Sequence, residues 1–281
     1  MDESNRPKSS NKLRTLDVVP NLGEMVKPAE LIDVIGASGL TLSARRLYNL
    51  LIANAFGPEM GHSDTVFEIV LDEMRGTHDS NDRLKESIYA LMRTVVVVRM
   101  PDGSTTNVQL LGGNNIKSPD RVRGRFRYRF DPELVPLLRE SRIFAILELR
   151  VMGAFTTKYA LGLYESVSRR VRMERIFEDF SLEEMRELLG VPPGKLERAN
   201  NLRAKAIQPA VQEVNALAPF SVQIEEQRTG RAVSGFRLYW WRKSADEYRA
   251  AMAELERPRT GRGTRIRNRA EVLVEHDLLD G

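Results

Sequence analysis

The sequence predicts an α+β fold of two winged-helix domains in tandem, each a helix-turn-helix with a β-hairpin appended. Two observations predict it. The chain spells the order helix, short strand, helix, turn, helix, hairpin twice over. Each pass also ends by switching from a helical apolar period to strand-like segments around a polar turn.

In the first pass, TLSARRLYNLLIANA (41–55) spaces Ala44, Leu47, Tyr48, Leu51 and Ala55 along one helical face. VFEIV is a short extended piece, followed by a brief helical run ending near Gly76. DSNDRLKESIYALMR (79–93) is the next helix, capped by Asp79 or Ser80, with Leu84, Ile88, Leu91 and Met92 facing inward. TVVVVRM, PDGS and TTNVQLL make a strand, a turn and the returning strand. GGNNIKSPDRVRG (112–124) reads as a flexible joint or extended loop, and DPELVPLLRE as a short helix bridging the halves.

In the second pass, FTTKYALGLYESVSRRV (155–171) is an amphipathic helix burying Phe155, Tyr159, Leu163, Tyr164, Val167 and Val171. Ser181 and Glu184 form a capping box, with Phe180 packing on Met185 as a hydrophobic staple. Gly190 ends that helix, and VPPG turns the chain into the helix NNLRAKAIQPAVQEVN (200–215). FSVQIEE (220–226), QRTGR and VSGFRLYWW complete the second hairpin. The elements divide the chain into a flexible N-terminal arm (1–25), an N-terminal winged helix (26–140), a C-terminal winged helix (141–243) and a basic, partly disordered tail (244–281).

Composition excludes several chemistries. With no cysteine there is neither a disulfide framework nor a thiolate metal site, and the three histidines, His62, His78 and His276, suggest no local pair. No segment has signal-peptide or membrane-spanning character, so a cytoplasmic protein is expected. GVPPGKL (190–196) fails as a phosphate-binding loop: only three residues separate its glycines, two of them prolines, and Leu196 stands where the hydroxyl belongs. GRGTRIR has no strand before it, no His-x-His pair is present, and Tyr159 and Tyr164 sit on an apolar face. No catalytic constellation and no cofactor are expected.

What remains is electrostatic. The net charge is only +4, from 43 basic and 39 acidic residues, but the charge is clustered. On the 200–215 helix, Ala206, Ala210 and Val214 form one side, while Arg198, Asn201, Lys205, Gln208 and Gln212 form an amide-rich basic stripe without a carboxylate. The second helix of a helix-turn-helix enters the major groove, where Arg and Lys suit guanine edges or phosphates and Asn and Gln suit adenine. A solvated helix face explains the same stripe equally well. Arg203 falls at the centre of the side that should be buried, and Pro209 removes a helical N–H, which predicts a kink that frees Arg203. The part before Pro209 is the expected reading segment.

RVRGRFRYRF (121–130) alternates Arg121, Arg123, Arg125, Arg127 and Arg129 with Phe126, Tyr128 and Phe130, placing the arginines on one strand face. Such a strand is either an edge strand guarded by its arginines or a surface for phosphates, and like-charge repulsion favours phosphate contact. Arg228 and Arg231 flank the second hairpin turn, where a wing tip meets DNA. The tail ERPRTGRGTRIRNR (256–269) fits either non-specific DNA binding or a disordered solubilising end.

LGLYESVSRR, SLEEMRELLGV, LRAKAIQPAVQEVNAL and VQIEEQRTGRAVSGFRLYW, in this order and spacing, resemble the C-terminal winged helix of the iteron-binding plasmid replication initiators. Pro209, Ala210, Glu213 and Asn215 match the most specific pattern, Pro-Ala-x-x-Glu-x-Asn. VKPAELIDVIGASGLTLSARRLYNLLIANA (26–55) is similar to the start of the same family's N-terminal winged helix. The resemblance implies a protein that binds direct repeats in double-stranded DNA at an origin and promotes opening of a neighbouring AT-rich region. It implies the host replication initiator and the replicative helicase as partners. It also implies a homodimer, formed through the N-terminal domain, that represses its own gene. By analogy Arg198 and Lys205 lead as base contacts and Asn201 and Arg203 follow, although Ala204 interrupts the family's dense basic run. A winged-helix transcriptional repressor is the alternative, and a protein–protein adaptor without a DNA role is a third reading.

Overall fold

The computed structural model of the chain describes residues 13–62, 64–75, 80–100, 102–117 and 124–268. Strand β1 (Glu24–Pro28) leads into the short helix α1 (Ala29–Ile32) and then helix α2 (Leu42–Ala55). The Thr41 hydroxyl caps α2 by accepting from the Ala44 N–H, and the five residues predicted to share its inner face are all buried. Strand β2 (Phe67–Val70), helix α3 (Leu71–Arg75) and helix α4 (Asn81–Arg93) follow. Ser80 is the cap of α4; the alternative, Asp79, lies outside the described residues. Strands β3 (Val95–Arg99) and β4 (Thr105–Gln109) form the first hairpin, so the first winged helix takes the predicted order.

Two features of this half correct the sequence reading. Within the stretch expected to be a joint or loop, Asn114–Lys117 is a strand, β5, paired with the arginine strand β6 (Arg125–Tyr128). The sheet order is β2-β6-β5, so β6 is central rather than an edge. Its inward residues Phe126, Tyr128 and Phe130 are buried in an aromatic cluster with Phe67 and Tyr48, which holds the strand between two partners.

The other correction is at the ends of the domain. Helix α5 (Val135–Glu140) and strand β7 (Phe144–Glu148) follow β6, and β7 pairs antiparallel with β1 from Glu24↔Glu148 to Pro28↔Phe144. The Thr15 N–H donates to the Ser141 carbonyl at 2.9 Å, and Thr15 is buried. Residues 13–25 are therefore anchored against the body instead of forming a loose arm, and the ladder crosses the 140/141 boundary. Residues 1–12 lie outside the described residues.

Helix α6 (Leu149–Ala154) leads to α7 (Lys158–Arg170). Thr157 caps α7 through the Ala160 N–H, so the helix starts at Lys158 and Phe155 belongs to the extended link before it. Residues 160–168 of α7 are buried on every side, because α7 packs on α1, α2 and β7 as well as on α8 and α10. Strand β8 (Phe177–Ser181) and helix α8 (Leu182–Leu189) carry the predicted capping box of Ser181 and Glu184, and Gly190 closes α8 with a left-handed φ of 69°. Then come α9 (Ala199–Leu202), a π-helical turn (Arg203–Ile207) and α10 (Gln208–Leu217). Strands β9 (Phe220–Thr229) and β10 (Ala232–Arg242) make the second hairpin, and β8 joins it in the order β8-β10-β9.

The tail also departs from expectation. Ala245–Glu256 is helix α11, with Ser244 and Glu247 as a capping box, and residues 262–268 are helical too. Arg262 is buried and donates to the carbonyls of Glu254, Leu255 and Arg257, the unpaired groups at the end of α11. The segment is folded by its own polar groups, although α11 was legible in the Ser-x-x-Glu spacing of SADE.

A buried polar cluster fastens α7 to β1 and α2. The Lys27 ammonium of β1 donates to Asn49 of α2 and to Glu165 of α7, both at 3.0 Å, and the Asn49 amide donates to Glu165 at 2.6 Å. Burial pulls the Lys27 pKa down from the usual lysine value, and the Glu165 carboxylate opposes that shift. Arg46 adds hydrogen bonds to the Met152, Gly153 and Phe155 carbonyls at the end of α6, and Lys158 donates to the Ser38 carbonyl at 2.7 Å. Among the described residues no helix is long and apolar enough to cross a membrane.

Candidate nucleic-acid interface

The helix formed by α9, the π turn and α10 occupies the recognition position of the second winged helix. Leu202, Ala206, Ile207, Ala210, Val214 and Leu217 are buried beneath it. Arg198, Asn201, Lys205 and Gln208 are exposed together, as the stripe predicted, while Gln212 is half-buried.

Arg203 and Pro209 have one explanation. The Gln208 N–H donates to the Arg203 carbonyl, five residues back, so the helix widens by one residue at the place where Pro209 has no N–H to give. In place of the expected kink, this wider turn changes the phase of the residues before it. Ile207 joins Ala206 in the core, and Arg203, which an ideal helix would bury, has a side chain 50% exposed.

The wing reaches the same place. Even-numbered residues of β9 face the helix: Val222 is buried, Ile224 half-buried, the Glu226 side chain 13% exposed and the Arg228 side chain 55% exposed. The row leaves the core as it approaches the hairpin tip. Glu226 lies between two arginines, with Oε1 3.4 Å from Arg203 Nη1 and Oε2 2.5 Å from Arg228 Nη2. Recognition helix and wing thus present their cations at one spot, linked by a carboxylate that the sequence reading did not single out. Nothing local marks it, since the contact depends on helix and strand packing. Arg231 is exposed in the tip itself, beside Gly230 with a left-handed φ of 63°.

In the first domain, Arg125, Arg127 and Arg129 are exposed on the outer face of the β2-β6-β5 sheet. Arg125 pairs with Glu68 on the neighbouring strand, so an acid from β2 relieves part of the repulsion attributed to a run without acids. Arg121 and Arg123 lie outside the described residues. Helix α4, the recognition-position helix of this domain, exposes Arg83, Lys85, Tyr89 and Arg93 together with Asp82 and Glu86, and Arg93 lies over the Tyr89 ring at 5.8 Å. Sequence alone gives α4 no role.

Other arginines bond back to the chain. Arg257 and Arg265 form ion pairs with Glu254, Arg259 donates to the Gly153 carbonyl, and Arg262 closes α11. Of the tail arginines expected to face DNA or solvent, these four have partners within the chain.

The most specific resemblance pattern consists of scaffold residues. Glu213 accepts from the backbone N–H and the hydroxyl of Thr156, tying α10 to the start of α7. Burial raises its carboxyl pKa against those hydrogen bonds. The Asn215 amide donates to the Val222 carbonyl at 2.9 Å and accepts from the Val222 N–H at 2.7 Å, fixing β9 to the helix. Pro209 accompanies the π turn and Ala210 packs beneath it. Among the described residues no group of His, Asp or Glu is arranged to hold a metal ion.

Comparison with known proteins identifies the family and the fold. Residues 24–168 match the family model described as initiator replication protein, WH1, and residues 181–240 match that described as initiator Rep protein, WH2. Among solved structures, the Pi initiator protein in complex with iteron DNA matches with a TM-score of 0.61, covering 80% of this chain and 100% of that one. At 16% identity the likeness is one of fold. No curated protein sequence matches the chain.

Proposed function

The chain belongs to the family of initiator replication proteins, and from that premise we propose that it initiates plasmid replication by binding repeated sequence elements (iterons) at the origin. The observation that carries this reading is the meeting of Arg203 and Arg228 over Glu226, which gives recognition helix and wing one shared cationic surface. The Pi initiator protein has the same fold and is seen with iteron DNA, a ligand whose chemistry suits this surface.

In this reading Arg198 and Lys205 contact guanine edges or adjacent phosphates, and Asn201 and Gln208 suit adenine. Arg203, Arg228 and Arg231 take the backbone beside them, and Arg125, Arg127 and Arg129, with Arg121 and Arg123, hold phosphates farther along the duplex. The work is assembly on DNA in the cytoplasm rather than catalysis. Opening of a neighbouring AT-rich segment, recruitment of the host initiator and replicative helicase, and autorepression by a dimer joined through the N-terminal domain belong to the same proposal.

Selection of bound duplexes from a random pool at near-physiological salt tests it. The expected result is an enriched site spanning about two successive major-groove faces, as tandem readers require, and recurring as direct repeats beside the protein's own gene. A lone palindrome over the promoter would support the repressor instead. Binding that enriches nothing and vanishes with salt would overturn the reading.

A further inference from the structure

We infer that Glu226 is a specificity-determining positioning residue: its carboxylate holds the recognition-helix and wing arginines as one unit and tempers their attraction for phosphates in general. The inference rests on the DNA-binding reading above and goes further, because Glu226 is an acid at the centre of a surface meant for a polyanion.

Glu226 occupies the strand position after Val222 and Ile224 in the row facing the helix, where an apolar side chain would continue the core. It sits opposite Phe236, whose side chain is buried. Its Oε1 is buried and accepts no hydrogen bond among the described residues, although Arg203 Nη1 is 3.4 Å away, and Oε2 meets Arg228. A buried carboxylate oxygen with so little local return is costly unless its charge has a use.

Two consequences follow from the charge. Free arginines sample many rotamers and attract any phosphate they meet, which strengthens binding to every sequence alike. Arginines held on Glu226 reach the duplex already placed, so less ordering is required at the matched site. Their summed charge is also reduced by the carboxylate between them, which weakens binding where the bases do not fit. Discrimination improves at the expense of general affinity.

The substitution Glu226→Gln keeps the shape and removes the charge. With one cation released to a phosphate, a slope of about −0.9 per contact corresponds to about eightfold tighter binding of a scrambled duplex near 0.1 M salt. The salt slope should steepen by about 0.9. The selected duplex should gain less, so the ratio of the two affinities falls. In a background carrying Arg203→Ala and Arg228→Ala, the same substitution should leave that ratio unchanged.

Affinities for the selected duplex and a scrambled duplex of equal length, measured across a salt series, decide the matter. A ratio untouched by Glu226→Gln, or one that falls equally without the two arginines, overturns the role of Glu226 while leaving the DNA-binding reading standing. Wild-type protein that does not discriminate between the duplexes overturns both. Glu226→Asp withdraws the charge by one methylene and should lower the ratio in the same direction, which carries the test if the Gln variant does not fold.

Discussion

Removing the Glu165 charge tests what holds α7 against β1 and α2. The Lys27 and Glu165 side chains are each 6% exposed, and among the described residues the ammonium donates to Glu165 and Asn49. In Glu165→Gln, Lys27 either stays charged in a buried site or gives up its proton. Deprotonation sets a ceiling: holding a lysine of ordinary pKa near 10.4 neutral at pH 7 costs about 5 kcal/mol. Breaking a buried pair by removing one partner costs about 3–5 kcal/mol, within that ceiling. The loss is large against a total stability of about 5–15 kcal/mol.

The double variant Lys27→Met with Glu165→Leu removes both charges; it strands the Asn49 amide, which keeps its contact with the Met152 sulfur, and withdraws from half-buried Arg45 the carboxylate that favours its charge. That should cost about 1–3 kcal/mol, well below the roughly 6–10 kcal/mol of two such single losses. Urea unfolding of the singles and the double measures the difference. A double variant that loses the sum of the singles would refute the pairing argument, as would Glu165→Gln costing less than about 1 kcal/mol.

Lys205→Ala should relax base preference at one position of the selected site, with a loss of about 1–3 kcal/mol there, whereas Arg125→Ala should weaken all duplexes alike and flatten the salt slope by about 0.9; identical binding profiles for the two would abolish the division between reading and positioning. Asn215→Ala removes both hydrogen bonds to Val222 and should destabilise the second domain by about 1–3 kcal/mol, with discrimination unchanged in the folded fraction. At Glu254, burial raises the carboxyl pKa, but Arg265, Arg257 and Arg262 outweigh it and the net value lies below the usual 4.5. Its contribution is therefore complete above pH 4.5 and lost as pH falls through the lowered value. Amide exchange in residues 262–268, corrected for intrinsic rates, should rise in acid before the core opens, and protection that holds until global unfolding would contradict this.

Local signals were legible where one segment carries its own pattern. The caps at Thr41, Ser80 and Ser181, the turn at Gly190 and the two hairpins are stated in a few adjacent residues. The β1–β7 ladder is not, since neither strand signals a partner in the other. Strand β5 carries little β-branched character in NNIK and forms beside β6. Arginine density concealed the helical turn over 262–268, because the spacing that pairs those arginines with Glu254 only matters once the chain turns back. At the site, the stripe was readable as helical spacing. The conflict at Arg203 was readable too, as a sign of irregular helix, but its form as a π turn and its link to Glu226 required the packed strand.

The β1–β7 ladder also sets a timetable. Glu24 leaves the ribosome 124 residues before its partner Glu148. At about 5–20 residues per second, synthesis of the intervening chain takes about 6–25 s. Throughout that interval the apolar Met25 and Val26 of β1 have no strand beside them, and the nascent first domain has an open edge. The strand that finally closes it runs directly into α6 and α7, which bring Glu165 to Lys27. Closure of the β1–β7 ladder and docking of α7 are therefore coupled steps in biogenesis, and a ribosome paused between residues 28 and 144 would hold a chain that can do neither.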